Sequence, residues 1–325
     1  MLGEVTLQIN LSAGDLNYAH LTVPALISQH QYLKKRLLVL DCLKPQKTKI
    51  VNPELKYPEP EFSLRIKKLK VLVEDFLAKG LVSDIYFLEE GDPFIKKTLN
   101  TYFKNFVTET HEYGGIGIIS YLAGIELTKT KYVLHYDGDM LFYQKAGFNW
   151  VESAIEVLNE YTDCISITPG IAPPTTQLTR TASFEHWSEN LKVTGGYKDK
   201  FFSARQFLID KDRLYAEFPL FRGIVLLETL LVKYLNRGYP RSVENIFFKR
   251  FSTAGKFRFM MDSHNCWVLH PLDKPLTYLE ILPFIIENVN SGVVPMEQEG
   301  HENINLEAWL EFFKIKSKNH AHKLD

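Results

Sequence analysis

Two aspartates separated by one glycine, Asp137-Gly138-Asp139, directly follow an apolar segment at residues 131–136. If the strand geometry of that segment continues, residues two apart point to the same side, so both carboxylates face one ligand. Two carboxylates on one side suit a hard divalent cation such as Mg²⁺ or Mn²⁺. Gly138 lets a phosphate or a sugar approach the backbone closely. The sequence therefore predicts a cation site that binds a phosphorylated ligand.

The same spacing of aspartates occurs again at Asp210-Lys211-Asp212. About one such pair is expected by chance in a chain of this composition, so the spacing alone is a weak signal. We expect Asp212 to cap a helix and Lys211 to neutralise its neighbours. Only the first pair follows both a buried strand of the predicted parallel half and a glycine-rich helix entrance at residues 114–117, so only that pair is assigned a ligand.

Apolar periodicity predicts that strands and helices alternate around these residues, which favours an α/β layer architecture. The predicted strands span residues 4–11, 36–40, 82–89, 131–136, 164–168 and 201–209. The predicted helices lie within residues 15–29, 62–78, 114–127, 150–161, 224–237, 243–251 and 306–316, with further helices starting at residues 92 and 212. In such sheets ligands bind beyond the carboxyl ends of the strands. Asp41, Glu89 and Asp137 fall at such ends, so we expect them to line one crevice.

The composition limits the class of protein. With 38 basic and 39 acidic side chains among 325 residues, the net charge is -1, which excludes a globally basic nucleic-acid binder. The three cysteines are far apart, so neither a disulfide framework nor a cysteine-based zinc site is expected. The N-terminal residues do not read as a signal peptide, and no apolar run approaches the roughly 18 residues of a spanning helix. We therefore expect a cytoplasmic protein.

The segment at residues 114–143, GGIGIISYLAGIELTKTKYVLHYDGDMLFY, resembles the core of family-2-like glycosyltransferases of the GT-A fold. The resemblance implies a Rossmann-like, mixed and mainly parallel sheet flanked by helices, in one domain over residues 1–325. Residues 1–142 would bind a nucleotide-diphospho-sugar donor, and residues 143–325 would bind the acceptor. In this family the aspartate pair holds a divalent cation on the donor diphosphate. Asp139 would be a metal ligand, Asp137 would contact the ribose or the metal, and Asp41 would meet the base.

The resemblance also extends to residues that would act on the acceptor. The segment LETLLVKYLNRGYP at residues 227–240 is similar to the family's acidic helix, which implies that Glu228 is the general base for the acceptor hydroxyl. Glu217 and Glu244 are nearby alternatives. His264 and His270 lie near the place of a third metal ligand in some GT-A enzymes. In an extended segment these two histidines share one face, and a neutral imidazole suits Mn²⁺.

These features predict metal-dependent transfer of a sugar, with inversion, from a nucleotide-diphospho-sugar to a carbohydrate or other hydroxyl acceptor. Two alternatives stay open: a non-catalytic nucleotide- or sugar-binding relative of the fold, and a nucleotidyltransferase. No Gln-x-x-Arg-Trp sequence occurs, which argues against a processive polysaccharide synthase. The helix at residues 306–316 is expected to pack in the core, with a peripheral contact at the inner face of the membrane as its alternative.

Overall fold

The computed structural model describes residues 2–104, 106–175, 191–237 and 242–321. Its strands are β1 (Val5–Ser12), β2 (Lys35–Asp41), β3 (Asp84–Leu88), β4 (Tyr132–Asp137), β5 (Leu141–Gln144), β6 (Cys164–Thr168), β7 (Leu191–Val193), β8 (Gly196–Asp199), β9 (Gln206–Asp210), β10 (Phe257–Met261) and β11 (Cys266–Leu269). Its α-helices are α1 (Ala19–Gln29), α2 (Pro53–Lys56), α3 (Glu61–Ala78), α4 (Pro93–Phe103), α5 (Ile119–Leu127), α6 (Trp150–Glu160), α7 (Lys211–Ala216), α8 (Gly223–Leu231), α9 (Val243–Thr253), α10 (Leu276–Asn290) and α11 (Leu306–Ala321). A π-helical segment, Val232–Arg237, continues α8.

The strands form a nine-stranded sheet and a small two-stranded sheet within the described ranges. The large sheet has the order β3-β2-β1-β4-β9-β6-β10-β8-β7, and β11 pairs antiparallel with β5 in the small one. In the large sheet β8 and β9 run against the direction of the other strands. The prediction of an α/β fold with a mixed, mainly parallel sheet flanked by helices is therefore confirmed.

Helices cover both faces of the large sheet. One face packs against α1, α3 and α6, and the other packs against α4, α5, α8 and α9. A third cluster joins β5 and β11 to α10 and α11, with Trp267 and Trp309 at its centre. None of the helices that the structure describes is both long and apolar enough to cross a bilayer.

Several predicted elements differ from the structure by a residue or more at their ends, and three differences bear on the region of the aspartate pairs. Helix α5 starts at Ile119 rather than at residue 114, because Gly115 takes a positive φ of 82° and residues 112–115 form a turn. The strand predicted at residues 201–209 is shorter and begins at Gln206. Asp210, not Asp212, caps α7, since its side chain accepts hydrogen bonds from the backbone N–H groups of Asp212 and Arg213.

Candidate functional site

The carboxyl ends of β1, β2 and β4 meet at one edge of the large sheet. Ser12 at the end of β1 is in register with Asp41 at the end of β2, and Asn10 is in register with Asp137 at the end of β4. The strand order reverses between β1 and β4, since β2 and β3 lie on one side of β1 and β4 lies on the other. Open α/β sheets bind ligands at such a reversal point. The aspartate pair therefore lies where the topology favours a site.

Asp139 is a buried carboxylate with a lysine and a histidine beside it. The Nζ atom of Lys274 lies 2.8 Å from Asp139 Oδ2, and His270 Nε2 lies 3.5 Å from the same oxygen. Burial raises the pKa of Asp139, but the hydrogen bonds and charges of His270 and Lys274 outweigh burial and lower the pKa to about 2. The other oxygen, Oδ1, is buried without a hydrogen-bond partner in the described part of the chain. Asp139 is thus ionised, and one of its two buried oxygens has no hydrogen-bond partner among the described residues.

Asp137 has the opposite electrostatic environment. The Tyr121 hydroxyl donates a hydrogen bond of 3.2 Å to Asp137 Oδ2, and His135 Nε2 lies 3.3 Å from Oδ1. Burial, followed by the negative charge of Asp139, raises the pKa of Asp137 well above its ordinary value. A cation bound between the two aspartates would favour the ionised form of Asp137. Asp139 can therefore bind a cation directly, whereas a cation that binds Asp137 competes with a proton.

The residue between the two aspartates packs against the first strand. A Cβ atom on Gly138 would lie 2.3 Å from Leu11 Cδ2 and 2.9 Å from the Asn10 carbonyl oxygen. The backbone N–H of Gly138 donates a 2.9 Å hydrogen bond to that same carbonyl oxygen. The glycine therefore lets the turn approach β1 closely, while its predicted contact with a donor stays a prediction.

Three side chains near Asp139 were not among the predicted site residues: Asp15, Tyr18 and Lys274. Asp15 follows β1, accepts a hydrogen bond from Tyr18 and has its pKa raised to about 6 by burial and by the charge of Asp139. Lys274 lies with its Nζ atom 5.3 Å from the centre of the Tyr18 ring. Asp15 lies three residues after β1, and the end of β1 lines the crevice. Lys274 follows His270 by four residues. Both positions could have been suspected from the sequence.

Asp41 lies at the same sheet edge and faces the start of α5. Its Oδ1 atom accepts a 3.0 Å hydrogen bond from the Leu43 backbone, and Ser120 also donates to it. A Cβ atom on Gly117 would lie 2.9 Å from Asp41 Oδ2, so the glycine-rich segment closes over this carboxyl group. Burial raises the pKa of Asp41 to about 7. Its predicted contact with a base stays a prediction.

The two predicted histidine ligands are placed differently. His270, at the end of β11, lies beside Asp139 as described above. His264 lies in the turn before β11, where its side chain is 75% exposed and hydrogen-bonded to Asp262. The segment is a turn before Cys266 rather than a continuous strand, so the expectation that both histidines share one face does not hold. The structure brings His270 to the aspartate pair and leaves His264 in solvent.

The candidate general bases also differ in position. Glu228 on α8 forms an ion pair with Lys249 on α9. Glu217 is held by Arg250, whose Nη2 atom lies 2.8 Å from Glu217 Oε2. Glu244, in the first turn of α9, accepts a 2.8 Å hydrogen bond from the Ala204 backbone N–H. Its negative charge also contributes to the raised pKa of Tyr121, which hydrogen-bonds to Asp137. Of the three glutamates, Glu244 has the contacts closest to the aspartate pair.

A cavity of about 340 Å³ lies beside the segment that pairs with His270. It is lined by His301, Glu302, Asn303 and Asn305. The segment that forms it is joined to the end of β11, since His270 N–H donates to the Glu302 carbonyl and Ile304 N–H donates to the His270 carbonyl. The buried Gln298 side chain bonds this segment from inside, including the Asn303 carbonyl. The cavity is therefore fixed to the strand end that carries His270.

The side chains around Asp139 fit a divalent cation in their chemistry. Two carboxylates and one imidazole suit Mn²⁺ or Mg²⁺, and the open Oδ1 atom of Asp139 offers a lone pair. The described residues hold no preformed group of three or more histidine, cysteine, aspartate or glutamate side chains around a common metal position. A cation here would complete its coordination with oxygens of the ligand and with water, as Mg²⁺ commonly does on phosphates.

No family model matches the sequence, and no curated protein shows significant similarity to it. Among solved structures, the apo form of mouse xyloside xylosyltransferase 1 is 14% identical, over 79% of this chain and 85% of that chain, with a TM-score of 0.35. A mycobacterial protein is 8% identical, over 89% of this chain and 75% of its own, with a TM-score of 0.32. An active-site mutant of LgtC is 10% identical, over 89% of this chain and 84% of its own, with a TM-score of 0.36. At these values the likeness concerns the fold alone and assigns no activity to this chain.

Proposed function

We propose that this protein is a glycosyltransferase that moves a sugar from a nucleotide-diphospho-sugar to an acceptor hydroxyl, with a divalent cation held by Asp137, Asp139 and His270. The observation that carries the proposal is the state of Asp139. This carboxylate is ionised and buried at the reversal point of the sheet, and one of its oxygens has no partner. Lys274 compensates the charge of Asp139 at Oδ2, but the buried Oδ1 atom is left without a hydrogen bond, which is costly unless a ligand binds there.

Each residue around Asp139 has a separate part in the proposed reaction. The cation, when bound, would act as a Lewis acid that stabilises the negative charge of the departing diphosphate. Lys274 supplies a second positive charge, 2.8 Å from Asp139, that can form a hydrogen bond with a phosphate oxygen. Tyr121 orients Asp137 through its hydroxyl group. The cation and Lys274 would bind the diphosphate as its bond to the sugar breaks, and Tyr121 would keep Asp137 in position.

The acceptor hydroxyl would approach from the side of α9 and of the cavity beside the segment that pairs with His270. Glu244 is the glutamate whose contacts lie nearest the aspartate pair, so we assign it the role of general base for an inverting transfer. Glu228 stays the alternative that the sequence resemblance implies. The amide, imidazole and carboxylate groups of Asn303, His301 and Glu302 suit the hydroxyl groups of a carbohydrate.

A nucleotide panel tests the donor site. The full chain would be melted with UDP, GDP, CDP, ADP and dTDP, each with and without Mn²⁺. A ligand that binds only the folded state raises the melting temperature, and we expect a rise of roughly 2 °C or more for one base, in the presence of the cation. The same samples would then be incubated with the matching nucleotide-sugars to measure slow hydrolysis of the donor.

Two variants sharpen this test. Asp139→Asn keeps the shape of the side chain and removes the charge, so it should abolish the cation-dependent shift. Asp212→Asn changes the exposed aspartate of the second, equally spaced pair and should retain the shift. If saturating nucleotides with Mn²⁺ leave the melting curve unchanged, the proposal is wrong. Binding without any hydrolysis or transfer would instead identify a non-catalytic nucleotide-binding relative.

A further inference from the structure

The first strand of the large sheet has one apolar side and one polar side. Its apolar residues belong to the core cluster beneath α1, α3 and α6: Val5, Leu7, Ile9 and Leu11. Side chains alternate along a strand, so the residues between them face the other side of the sheet, which α5 covers. All of these are polar, and three of them are 6%, 0% and 7% exposed: Thr6, Gln8 and Asn10. Buried polar groups cost stability unless they are hydrogen-bonded, so this row is unusual for the centre of a sheet.

Two residues of this row belong to a hydrogen-bonded chain that continues into β4. Gln8 Nε2 donates to Asn10 Oδ1, and Gln8 Oε1 lies 2.5 Å from His135 Nδ1. The other ring nitrogen, His135 Nε2, lies 3.3 Å from Asp137 Oδ1. Gln8 is in register with His135, and Asn10 is in register with Asp137. The chain therefore runs from the interior of the sheet to the aspartate at its edge.

The ring of His135 is held in one orientation. It is fully buried, it stacks on Phe207 of β9 with the ring centres 4.8 Å apart, and it meets the Tyr121 ring of α5 edge-on at 5.4 Å. A rotation of the ring would take its nitrogens away from Gln8 and Asp137. Because an amide can turn either its oxygen or its NH₂ group toward a ring nitrogen, Gln8 can hold the ring in whichever tautomer Asp137 requires.

Asp137 consequently has one partner for each of its oxygens. Tyr121 donates to Oδ2 from α5, and His135 contacts Oδ1 from within β4. Two partners on opposite oxygens fix the plane of the carboxyl group. Groups that hold a metal-binding side chain in this way set its direction, and their loss commonly weakens metal binding by about 10- to 100-fold.

We propose that Gln8 and His135 are positioning residues that direct the carboxylate of Asp137 toward the cation. This inference rests on the proposed function, since it concerns the cation site at the aspartate pair. Neither residue binds the cation or the donor itself: His135 acts on Asp137, and Gln8 acts on His135. Their exchange should therefore weaken cation binding in a protein that still folds.

Two exchanges of His135 in the full chain separate the two contacts of its ring. The amide of glutamine reaches the place of Nε2, so His135→Gln should keep the contact with Asp137. The shorter amide of asparagine reaches only the place of Nδ1, so His135→Asn should keep the contact with Gln8 alone. Both variants lose the stacking on Phe207 and should melt at similarly lowered temperatures. Titration with Mn²⁺ alone, followed by the electron paramagnetic resonance signal of the free ion, should show affinity roughly tenfold lower for His135→Asn and less than about threefold lower for His135→Gln.

A second pair of variants tests Gln8. Gln8→Met keeps the length of the side chain, removes its hydrogen bonds and should weaken Mn²⁺ binding by roughly tenfold. Thr6→Val is the matched control, because Thr6 lies on the same side of β1 and its buried hydroxyl bonds to Thr130, outside the chain that leads to Asp137. This control should melt at a lower temperature than the wild type and bind Mn²⁺ with the same affinity.

The results distinguish the cation site from the positioning role. If the wild type binds no Mn²⁺, or if Asp139→Asn binds it equally well, the cation site of the proposed function is wrong and this inference is wrong with it. If the wild type binds Mn²⁺ through Asp139 but the two His135 variants bind alike, or Gln8→Met binds as tightly as the wild type, only the positioning role is wrong. An equal loss in Gln8→Met and Thr6→Val would also overturn it, since binding would then follow stability. Should one pair of variants fail to fold, the other pair decides.

Discussion

Asp41 is a buried carboxyl group whose pKa is set mainly by burial. Burial raises this pKa from 3.8 to about 7, against the opposing effect of the hydrogen bonds from Leu43 and Ser120. Because the folded state holds the proton more tightly than the unfolded state, the folded state binds more protons between these two values. The free energy of unfolding therefore falls as the pH rises through this window and levels off above it.

The variant Asp41→Asn should remove this part of the pH dependence. We expect the wild type to lose stability, on the order of 1–3 kcal/mol, between about pH 5 and pH 8, and the variant to lose less. Urea unfolding at several pH values measures the difference. Asp212→Asn, at an exposed position, should keep the slope of the wild type. Equal slopes for wild type and Asp41→Asn would contradict the assignment of a raised pKa to Asp41.

The residues of the candidate site could be predicted from the sequence only in part. Asp137 and Asp139 could be found because two carboxylates follow one buried strand, and His270 because it ends an extended segment. Lys274 and Asp15 were missed because their proximity to Asp139 depends on how loops from distant parts of the chain fold back over the sheet edge. Their positions in the sequence, after β1 and four residues after His270, are hints only, because no periodicity reports contacts between distant loops.

At the scale of elements, the close approach of α5 to β1 depends on one glycine. A Cβ atom on Gly124 would lie 2.4 Å from Gln8 Cδ and 2.6 Å from Gln8 Oε1. Gln8 is fully buried and hydrogen-bonds to Asn10 and His135. A shift of the Gln8 side chain would disturb these two hydrogen bonds. The glycine thus sets the distance between this helix and the centre of the sheet.

We expect Gly124→Ala to destabilise the protein by about 1–3 kcal/mol, because overpacking outweighs the gain of about 1 kcal/mol in helix propensity. Urea unfolding followed by circular dichroism measures the change. Gly14→Ala is a suitable control, since its Cβ atom would lie 3.6 Å from Ser12 Oγ, an ordinary contact distance. A Gly124→Ala variant more stable than the wild type would show that α5 is less tightly packed than described.

The prediction of whole elements succeeded where the apolar pattern was long or continuous. β6 was predicted at its observed bounds, and α3 differs by one residue at its start. Helix α10 was not predicted, and it contains Pro283 in its interior, a residue that ordinarily ends a helix. The short strands β7 and β8 were missed because three or four residues are too few to show a period.

At the scale of the whole molecule, one sheet runs through both predicted halves of the chain. β4 of residues 1–142 pairs with β9 of residues 143–325, from Tyr132 opposite Asp210 to Tyr136 opposite Gln206. β9 in turn pairs with β6. A sheet that crosses the boundary between the halves should couple their unfolding, so the prediction of a single domain can be tested by following unfolding.

We therefore expect one cooperative unfolding transition. Trp150 lies in the core cluster beneath α1, α3 and α6, whereas Trp267 and Trp309 lie in the cluster beneath α10 and α11. Tryptophan fluorescence and far-ultraviolet circular dichroism should give coincident transitions, and the calorimetric enthalpy should equal the van't Hoff enthalpy. Two separate transitions would show that the halves fold as independent domains.

The position of β9 in the sheet has a consequence for the protein during its synthesis. β9 lies between β4 and β6, although both of these strands precede it in the sequence. A nascent chain that has left the ribosome only as far as residue 205 therefore presents β4 and β6 with unpaired edges, which can pair with other chains. The pace of translation through residues 206–210, and chaperones that cover strand edges until then, should thus influence how much of the protein reaches its native state.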